Sequence, residues 1–352
     1  MSIKSSLSVG ILVISALPML GCGALAKMVE GVFGGPDASF TRVRPAEEDL
    51  ANTSTIAVSE IEGRPEDVNA VSGHLGTWLS SSGRFAVVER EKLAQIAQEK
   101  GCAPGDVACV SGALPASAMV LGTVTPSTYS ENLETNTYKC KQDGKDATCT
   151  ERIRKGAARA SANLRLVDTA TGKVLFQRLV TKTVGDSKSS YDGVPEPIDS
   201  GRLTEEARRQ AALEFFEAIS PHESTEEVEL ETDGALPSLE RGNDAFKTGN
   251  LKTALQEYQS AVAMAEASKD INPEAKARAY YCAGVALGAI GKYDEAIERL
   301  NQAHKLNQDE DWARMTARVS LWKAEAARVE KQLAFAKPSQ PAADSAPSAM
   351  AQ

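Results

Sequence analysis

An internal repeat in the last third of the chain limits its fold more than any other feature. Residues recur in seven pairs at a constant offset of 42 positions. The pairs are Gly242 and Gly284, Ala245 and Leu287, Gly249 and Gly291, Leu251 and Tyr293, Ala254 and Ala296, Tyr258 and Leu300, and Ala261 and Ala303. A unit of this length cannot bury its apolar face alone, so neighbouring units must stack on one another. The small residues predict two closely packed antiparallel helices in each unit, with tight turns at Gly249 and Gly291.

This order of small residues, a glycine, an aromatic residue or leucine and then alanine resembles the tetratricopeptide repeat (TPR). That repeat has a period of about 34 residues, so about eight further residues must lie between the two units, at 267–273. The resemblance predicts two repeats over residues 236–336, closed by a capping helix that carries Trp312 and Trp322. An array this short is near the lower limit of stability and is expected to lean on the rest of the chain.

The resemblance also implies a binding surface. In relatives of this repeat the first helix of each unit lines a concave groove that holds a peptide. The corresponding exposed positions here are Asn243, Lys247, Arg278 and Tyr281. Leu239 stands where the carboxylate-binding members carry lysine, which argues against a carboxylate clamp. The sequence leaves open the alternative that these side chains form a solvated helix face without a ligand.

Residues 51–222 alternate between short apolar strands and amphipathic helices. The predicted strands are 55–59, 84–88, 118–124, 158–168 and 174–183, and the predicted helices are 68–80, a helix that begins at Glu89, and 203–219. Apolar residues alternate in the strands and recur every three or four positions in the helices. The sequence therefore predicts an α/β (α+β) sandwich, a mixed sheet with one layer of helices, followed by the all-α TPR array.

Several stretches of this domain resemble the curli secretion-channel (CsgG-like) family, in the order that the family has them. They are IAV at 56–58, SGRFAVVER at 82–90, VLGTV at 120–124, ANLRLVD at 162–168 and TGKVL at 171–175. The resemblance implies a periplasmic domain of an outer-membrane lipoprotein, oligomeric in some relatives. It implies no catalysis.

The channel-forming members of that family insert two β-hairpins per subunit into the outer membrane, and such strands need an apolar residue at every second position. The first matching segment here is polar on both faces, and its return limb carries Arg152, Arg154 and Lys155. A basic residue at the bilayer midplane costs about 2–4 kcal/mol. The second matching segment, 185–202, contains charged residues and two prolines. The sequence predicts a relative whose hairpins lie in water and form no pore.

The N-terminal residues predict export. Residues 1–21 combine Lys4 with an apolar run at 7–20, which is typical of a secretory signal. The closing sequence, MLGC at 19–22, resembles the lipobox of bacterial lipoproteins, which predicts lipidation of Cys22. By resemblance to the sorting of enterobacterial lipoproteins, Gly23 in place of aspartate favours the outer membrane. The alternative is an ordinary signal peptide that is cleaved elsewhere.

Three further segments are predicted to lie outside the two folded domains. Residues 22–50 form a lipidated tether, which would hold the protein at the membrane surface. Residues 223–235 form an acidic, solvated linker. Residues 337–352, rich in proline, alanine and serine, form a disordered tail.

The remaining five cysteines comprise two close pairs and one single residue. Outside the cytosol such pairs favour disulfides, Cys102 with Cys109 and Cys140 with Cys149, although four cysteines allow three arrangements. A four-cysteine zinc site is less favoured, because structural zinc sites use shorter spacings. Cys282 is predicted to be a buried apolar residue of a helix.

The sequence offers no sign of chemistry. It lacks the phosphate-loop, zincin and nucleophile-elbow motifs, so no enzyme, cofactor or metal is predicted. The net charge of -9 argues against nucleic acid as a partner. The hypothesis that accounts for every segment is a non-catalytic outer-membrane lipoprotein facing the periplasm, a protein-binding adaptor or scaffold in envelope assembly or secretion. Alternatives are a subunit of a curli-type secretion channel and a lipoprotein activator of a peptidoglycan synthase.

Overall fold

The structure is a computed structural model, and it describes residues 38–88, 98, 101, 109, 117–142, 144–191 and 193–335. The signal peptide, Cys22, the helix predicted from Glu89 and the tail at 337–352 lie outside the described residues. In chain order the strands are β1 (Ala38–Arg44), β2 (Thr55–Glu62), β3 (Ala86–Val88), β4 (Ala118–Gln142), β5 (Lys145–Asp168), β6 (Val174–Ser190) and β7 (His222–Val228). The helices are α1 (Pro65–Ser81), α2 (Ser200–Ile219), α3 (Pro237–Lys247), α4 (Leu251–Ala267), α5 (Pro273–Ala289), α6 (Tyr293–Leu306) and α7 (Glu310–Ala334).

A five-stranded mixed sheet has the order β3-β2-β4-β5-β6. Strand β2 runs parallel to β3 and β4, whereas β4, β5 and β6 are antiparallel. All five strands were predicted, and the mixed sheet followed by a run of helices confirms the predicted fold class. Strands β4, β5 and β6 are longer than predicted, because they continue past the core.

Helices α1 and α2 bury one side of this sheet. Helix α1 begins at a proline, which suits the first helical position, and its apolar residues lie on the buried face. These are Val68, Val71, Leu75 and Leu79, and they pack with Ile56, Val58, Val120, Leu164 and Phe215. Helix α2 begins where the Asp199 side chain accepts a hydrogen bond from the Arg202 N–H.

Strand β4 has an irregular register between Thr125 and Thr128. Past this bulge, β4 and β5 continue as a hairpin whose charged residues pair across the strands, Arg154 with Glu131 and Lys155 with Glu134. Near its end Cys140 and Cys149 adjoin, with Cα atoms 5.8 Å apart and sulfur atoms at bonding distance. Cys102 lies outside the described residues, so its pairing with Cys109 stays a prediction. In the part of the chain that the structure describes, no helix is long and apolar enough to cross a membrane.

Strands β1 and β7 correct two predictions. Both fall in segments that the sequence assigned to the tether and to the solvated linker, yet they form an antiparallel pair from Ala38 opposite Val228 to Arg44 opposite His222. Phe40 and Val228 are buried with the TPR helices. These two strands form because they pack against residues far away in the sequence. Their polar local composition does not show this packing.

Helices α3 to α6 form the two predicted helix pairs, and α7 follows as the predicted cap, with Trp312 and Trp322 buried. The tight turns occur at Gly249 and Gly291, whose φ angles of 77° and 83° favour glycine.

Candidate peptide-binding groove

One face of the array, formed by α3, α5 and α7, is the candidate site, and we call it the groove. It is not empty, because residues 226–233 of the same chain lie along it. We call this segment the strap. It begins in the last residues of β7 and continues in extended form toward α3. The segment predicted to be a solvated linker therefore occupies the surface predicted to hold a peptide.

Groove side chains donate hydrogen bonds to the main chain of the strap. The donors and acceptors are Arg318 Nη1 and Glu227 O (2.8 Å), Tyr281 Oη and Glu229 O (3.3 Å), Asn243 Nδ2 and Glu231 O (3.1 Å), and Arg278 Nη1 and Thr232 O (3.2 Å). The Glu231 N–H in turn lies 3.3 Å from Cys282 Sγ. Main-chain contacts of this kind give affinity for an extended segment, whereas alternate side chains give specificity.

Alternate side chains of the strap enter the groove. Glu226, Val228 and Leu230 are buried, whereas Glu227 and Glu229 between them are exposed. The period of two is that of a strand with one buried face. The groove thus takes two apolar side chains and one carboxylate from the strap.

The buried carboxylate of Glu226 is held by arginines from two elements. Arg42 of β1 lies 2.9 Å from it and Arg318 of α7 lies 2.6 Å from it. Burial opposes ionisation of Glu226, but the hydrogen bond from Arg318 and the charge of Arg42 outweigh it and hold its pKa below the ordinary value. Both guanidinium groups also lie over the ring of Trp322, at 5.5 and 5.3 Å from its centroid.

A hydrogen bond from Tyr258 of α4 orients the side-chain amide of Asn243. The Tyr258 hydroxyl donates to Asn243 Oδ1 at 2.8 Å, which leaves the amide nitrogen to donate to the strap. A phenol is already protonated at neutral pH, and burial raises the pKa of Tyr258 further, so its hydroxyl remains a donor.

Three of the four predicted groove residues contact the strap, and the fourth, Lys247, does not lie under it. Asn243 and Tyr281 were predicted to be exposed, but only 4% and 3% of their surface is accessible. The physical reason is that the strap covers them. Arg278 also contacts the strap and pairs with Asp233 at 3.2 Å, whereas Lys247 is exposed at the end of α3.

Sequence reasoning missed the strap and two groove residues on the capping helix. Arg318 binds Glu226 and Glu227, and Trp312 Nε1 donates to Glu231 Oε1 at 3.3 Å. The sequence signal for the strap was the alternation of Val228 and Leu230 with glutamates, which is typical of a strand with one buried face. The many acidic residues around them made the segment look like a solvated linker. Among the described residues, no group of three or more His, Cys, Asp or Glu is placed to hold a metal ion.

Comparison with known structures finds similar chains at low identity. A PelC dodecamer from Paraburkholderia phytofirmans is 13% identical, covers 52% of this chain and 99% of its own, and has a TM-score of 0.26. The LpoB C-terminal domain from Salmonella enterica is 13% identical, covers 45% and 91%, and has a TM-score of 0.22. Lipoprotein GNA1162 from Neisseria meningitidis is 18% identical, covers 43% and 90%, and has a TM-score of 0.20. Scores this low support no functional argument, and no curated protein matches the chain.

Two family matches are more informative. Residues 52–204 match the family described as curli production assembly/transport component CsgG, and residues 235–309 match the tetratricopeptide repeat. Strand β1, strand β7, the strap and the capping helix α7 lie outside both matched ranges. The chain therefore carries a CsgG domain followed by tetratricopeptide repeats.

Proposed function

We propose that this protein is a non-catalytic adaptor of the bacterial envelope, anchored to the outer membrane through Cys22 and facing the periplasm. In this proposal the TPR array is the part that binds another protein, and the CsgG domain is a platform for docking or self-association. The observation that carries the proposal is the groove, which already accommodates an extended segment through contacts to its main chain.

The charge distribution supports an adaptor over a channel subunit. The hairpin that corresponds to the first membrane-inserting hairpin of channel members carries cross-strand ion pairs at Arg154 and Lys155. Charged pairs of this kind are stable in water and costly on a lipid-facing strand.

Site-specific photo-cross-linking in intact cells tests the adaptor function. A photoreactive residue at Lys247, exposed beside the groove, is expected to cross-link one envelope protein. The matched control is Lys252, which is also exposed but lies on α4, a helix that does not form the groove. The same adduct from both positions, or none from Lys247, would contradict the proposal.

Fractionation tests the anchor separately. The Cys22→Ala variant is expected to leave the outer-membrane fraction and appear in the soluble periplasmic fraction, because it lacks the acyl chains. Membrane retention of that variant would show that Cys22 is not the anchor.

A further inference from the structure

The groove and the strap together have the features of a peptide complex within one chain. The strap is extended, its carbonyl groups are bound by side chains of three different helices, and alternate side chains are buried. Neither family match includes it. The strap is therefore a feature of this chain that neither matched family region accounts for.

We propose that the groove recognises an extended acidic segment with apolar residues at alternate positions, and that the strap is a resident ligand which a partner segment of the same chemistry replaces. This inference rests on the proposed adaptor function in one respect, namely that an adaptor has a partner protein to supply the segment. The partner segment is a strand that pairs with β1 as β7 does and continues through the groove.

The charges of the groove and of the adjoining strand β1 define the partner's chemistry. Arg42 and Arg318 surround the buried carboxylate of Glu226, and Arg278 binds Asp233 at the other end of the strap. An incoming segment therefore needs an acidic residue at each of these positions. Between them it needs two apolar side chains in place of Val228 and Leu230, spaced two residues apart.

The covalent connection of the strap makes it a strong competitor. A tethered ligand acts at an effective concentration in the millimolar range for a short connection. When a competing segment fills the site for most of the time, the apparent affinity for a free peptide falls in proportion to the empty fraction. Weakening the strap without changing the groove must then increase the affinity for an added peptide.

A fluorescently labelled peptide of residues 222–233 provides the probe, with binding to the purified full chain measured by anisotropy. The test variant is Val228→Ser with Leu230→Ser, which removes the two buried apolar side chains of the strap. The matched control is Glu227→Ser with Glu229→Ser, which changes the exposed side chains of the same segment and keeps its main chain. We expect the test variant to bind the peptide at least about tenfold more tightly than the wild type and the control.

Two further measurements keep the outcome clear. A peptide carrying serine at positions 228 and 230 should not bind any of the proteins, and Arg318→Ala in the test variant should abolish binding of the wild-type peptide. If the double serine variant does not fold, the milder Val228→Ala variant replaces it, with the same direction of change.

The proposal is overturned if the folded test variant does not bind the peptide, or if wild type, test variant and control bind it equally. Binding of the peptide by the test variant, with no envelope protein cross-linked from Lys247, would uphold this inference while contradicting the adaptor function. The two proposals can therefore fail independently.

Discussion

At the scale of single residues, the close approach of paired helices depends on two glycines. A Cβ atom at Gly242 would lie 2.6 Å from Tyr258 Cδ1, and one at Gly284 would lie 2.7 Å from Leu300 Cγ. Tyr258 and Leu300 are fully buried, so neither has room to move. These four residues form two of the repeating pairs in the sequence. The repeat therefore reflects a steric requirement for glycine opposite a large side chain.

We predict that Gly242→Ala lowers the free energy of unfolding by about 1–3 kcal/mol, because the added methyl group overpacks the core. The matched control is Gly73→Ala in helix α1, where a Cβ atom would meet nothing within 4 Å. That substitution should increase stability by about 0.5–1 kcal/mol, since alanine loses less backbone entropy than glycine in a helix. Urea denaturation measures both, and equal effects would contradict the steric explanation.

Because of Tyr280, we expect the stability of the array to fall at alkaline pH. Burial, followed by the hydrogen bond that its hydroxyl donates to Glu266, raises the pKa of Tyr280 to about 12. In the unfolded chain the phenol titrates near its ordinary value of about 10. Because the folded pKa is the higher one, the contribution is fully present below pH ~10 and is lost as the pH rises from ~10 to ~12.

We therefore predict that Tyr280→Phe loses less stability than the wild type between pH 8 and pH 11, by about 1 kcal/mol. Denaturation curves at the two pH values provide the comparison. An identical loss in both proteins would mean that Tyr280 ionises equally well in the folded state.

At the scale of elements, Asp67 connects two helices to the sheet. Its fully buried carboxylate lies 2.7 Å from Arg208 Nε of α2 and accepts a hydrogen bond from the Ser127 N–H, at 3.3 Å, in the bulge of β4. Burial opposes its ionisation, but the hydrogen bonds from Ser127 and Arg208 outweigh it and hold the pKa of Asp67 below the ordinary value. The carboxylate thus fixes the point where β4 leaves the core for the projecting hairpin.

We predict that Asp67→Asn costs about 1–3 kcal/mol of stability, because it removes the buried counter-charge of Arg208 and leaves only the exposed Glu205, at 3.5 Å, as its ion-pair partner. Glu66→Gln is the matched control. Glu66 is adjacent and pairs with Arg64 at 3.4 Å, but that pair is exposed and should contribute about 0–1 kcal/mol. Thermal unfolding measures the loss of stability in both variants. A loss in Glu66→Gln as large as that in Asp67→Asn would contradict the explanation from the buried carboxylate.

The elements that the sequence predicted correctly are those whose periodicity is local. Strand β2 and helices α1 and α2 carry apolar residues at regular spacing, so their positions followed from the pattern. Strands β1 and β7 were missed, because the rings that Phe40 of β1 packs against, Phe246 and Trp322, lie far away in the chain. Asn243 and Tyr281 were predicted to be exposed and are buried instead, since no local signal shows that the strap covers them.

At the scale of the whole molecule, the beginning of the described chain belongs to the core of its C-terminal half. Phe40 of β1 lies edge-on to Phe246 of α3 and Trp322 of α7, with ring centroids 6.1 and 5.3 Å away. The sheet with α1 and α2 has separate apolar clusters. Residues 38–44 therefore attach to the TPR array before the chain enters the CsgG domain. Any partner segment that replaces β7 and the strap would act at this attachment.

This arrangement makes a prediction that separates the two halves. Phe40→Ala should lower the free energy of unfolding of the TPR array by about 3–5 kcal/mol, because it opens a cavity in the array's core. Hydrogen exchange measures each half by itself, on amides of α3 to α7 and of β4 to β6. Only the first set should exchange faster. The control is Val43→Ala on the same strand, where the side chain is 43% exposed and the cost should stay within about 0.5 kcal/mol. If Phe40→Ala instead accelerates exchange in both halves equally, the array and the CsgG domain unfold as one cooperative unit, and displacement of the strap would destabilise the CsgG domain as well.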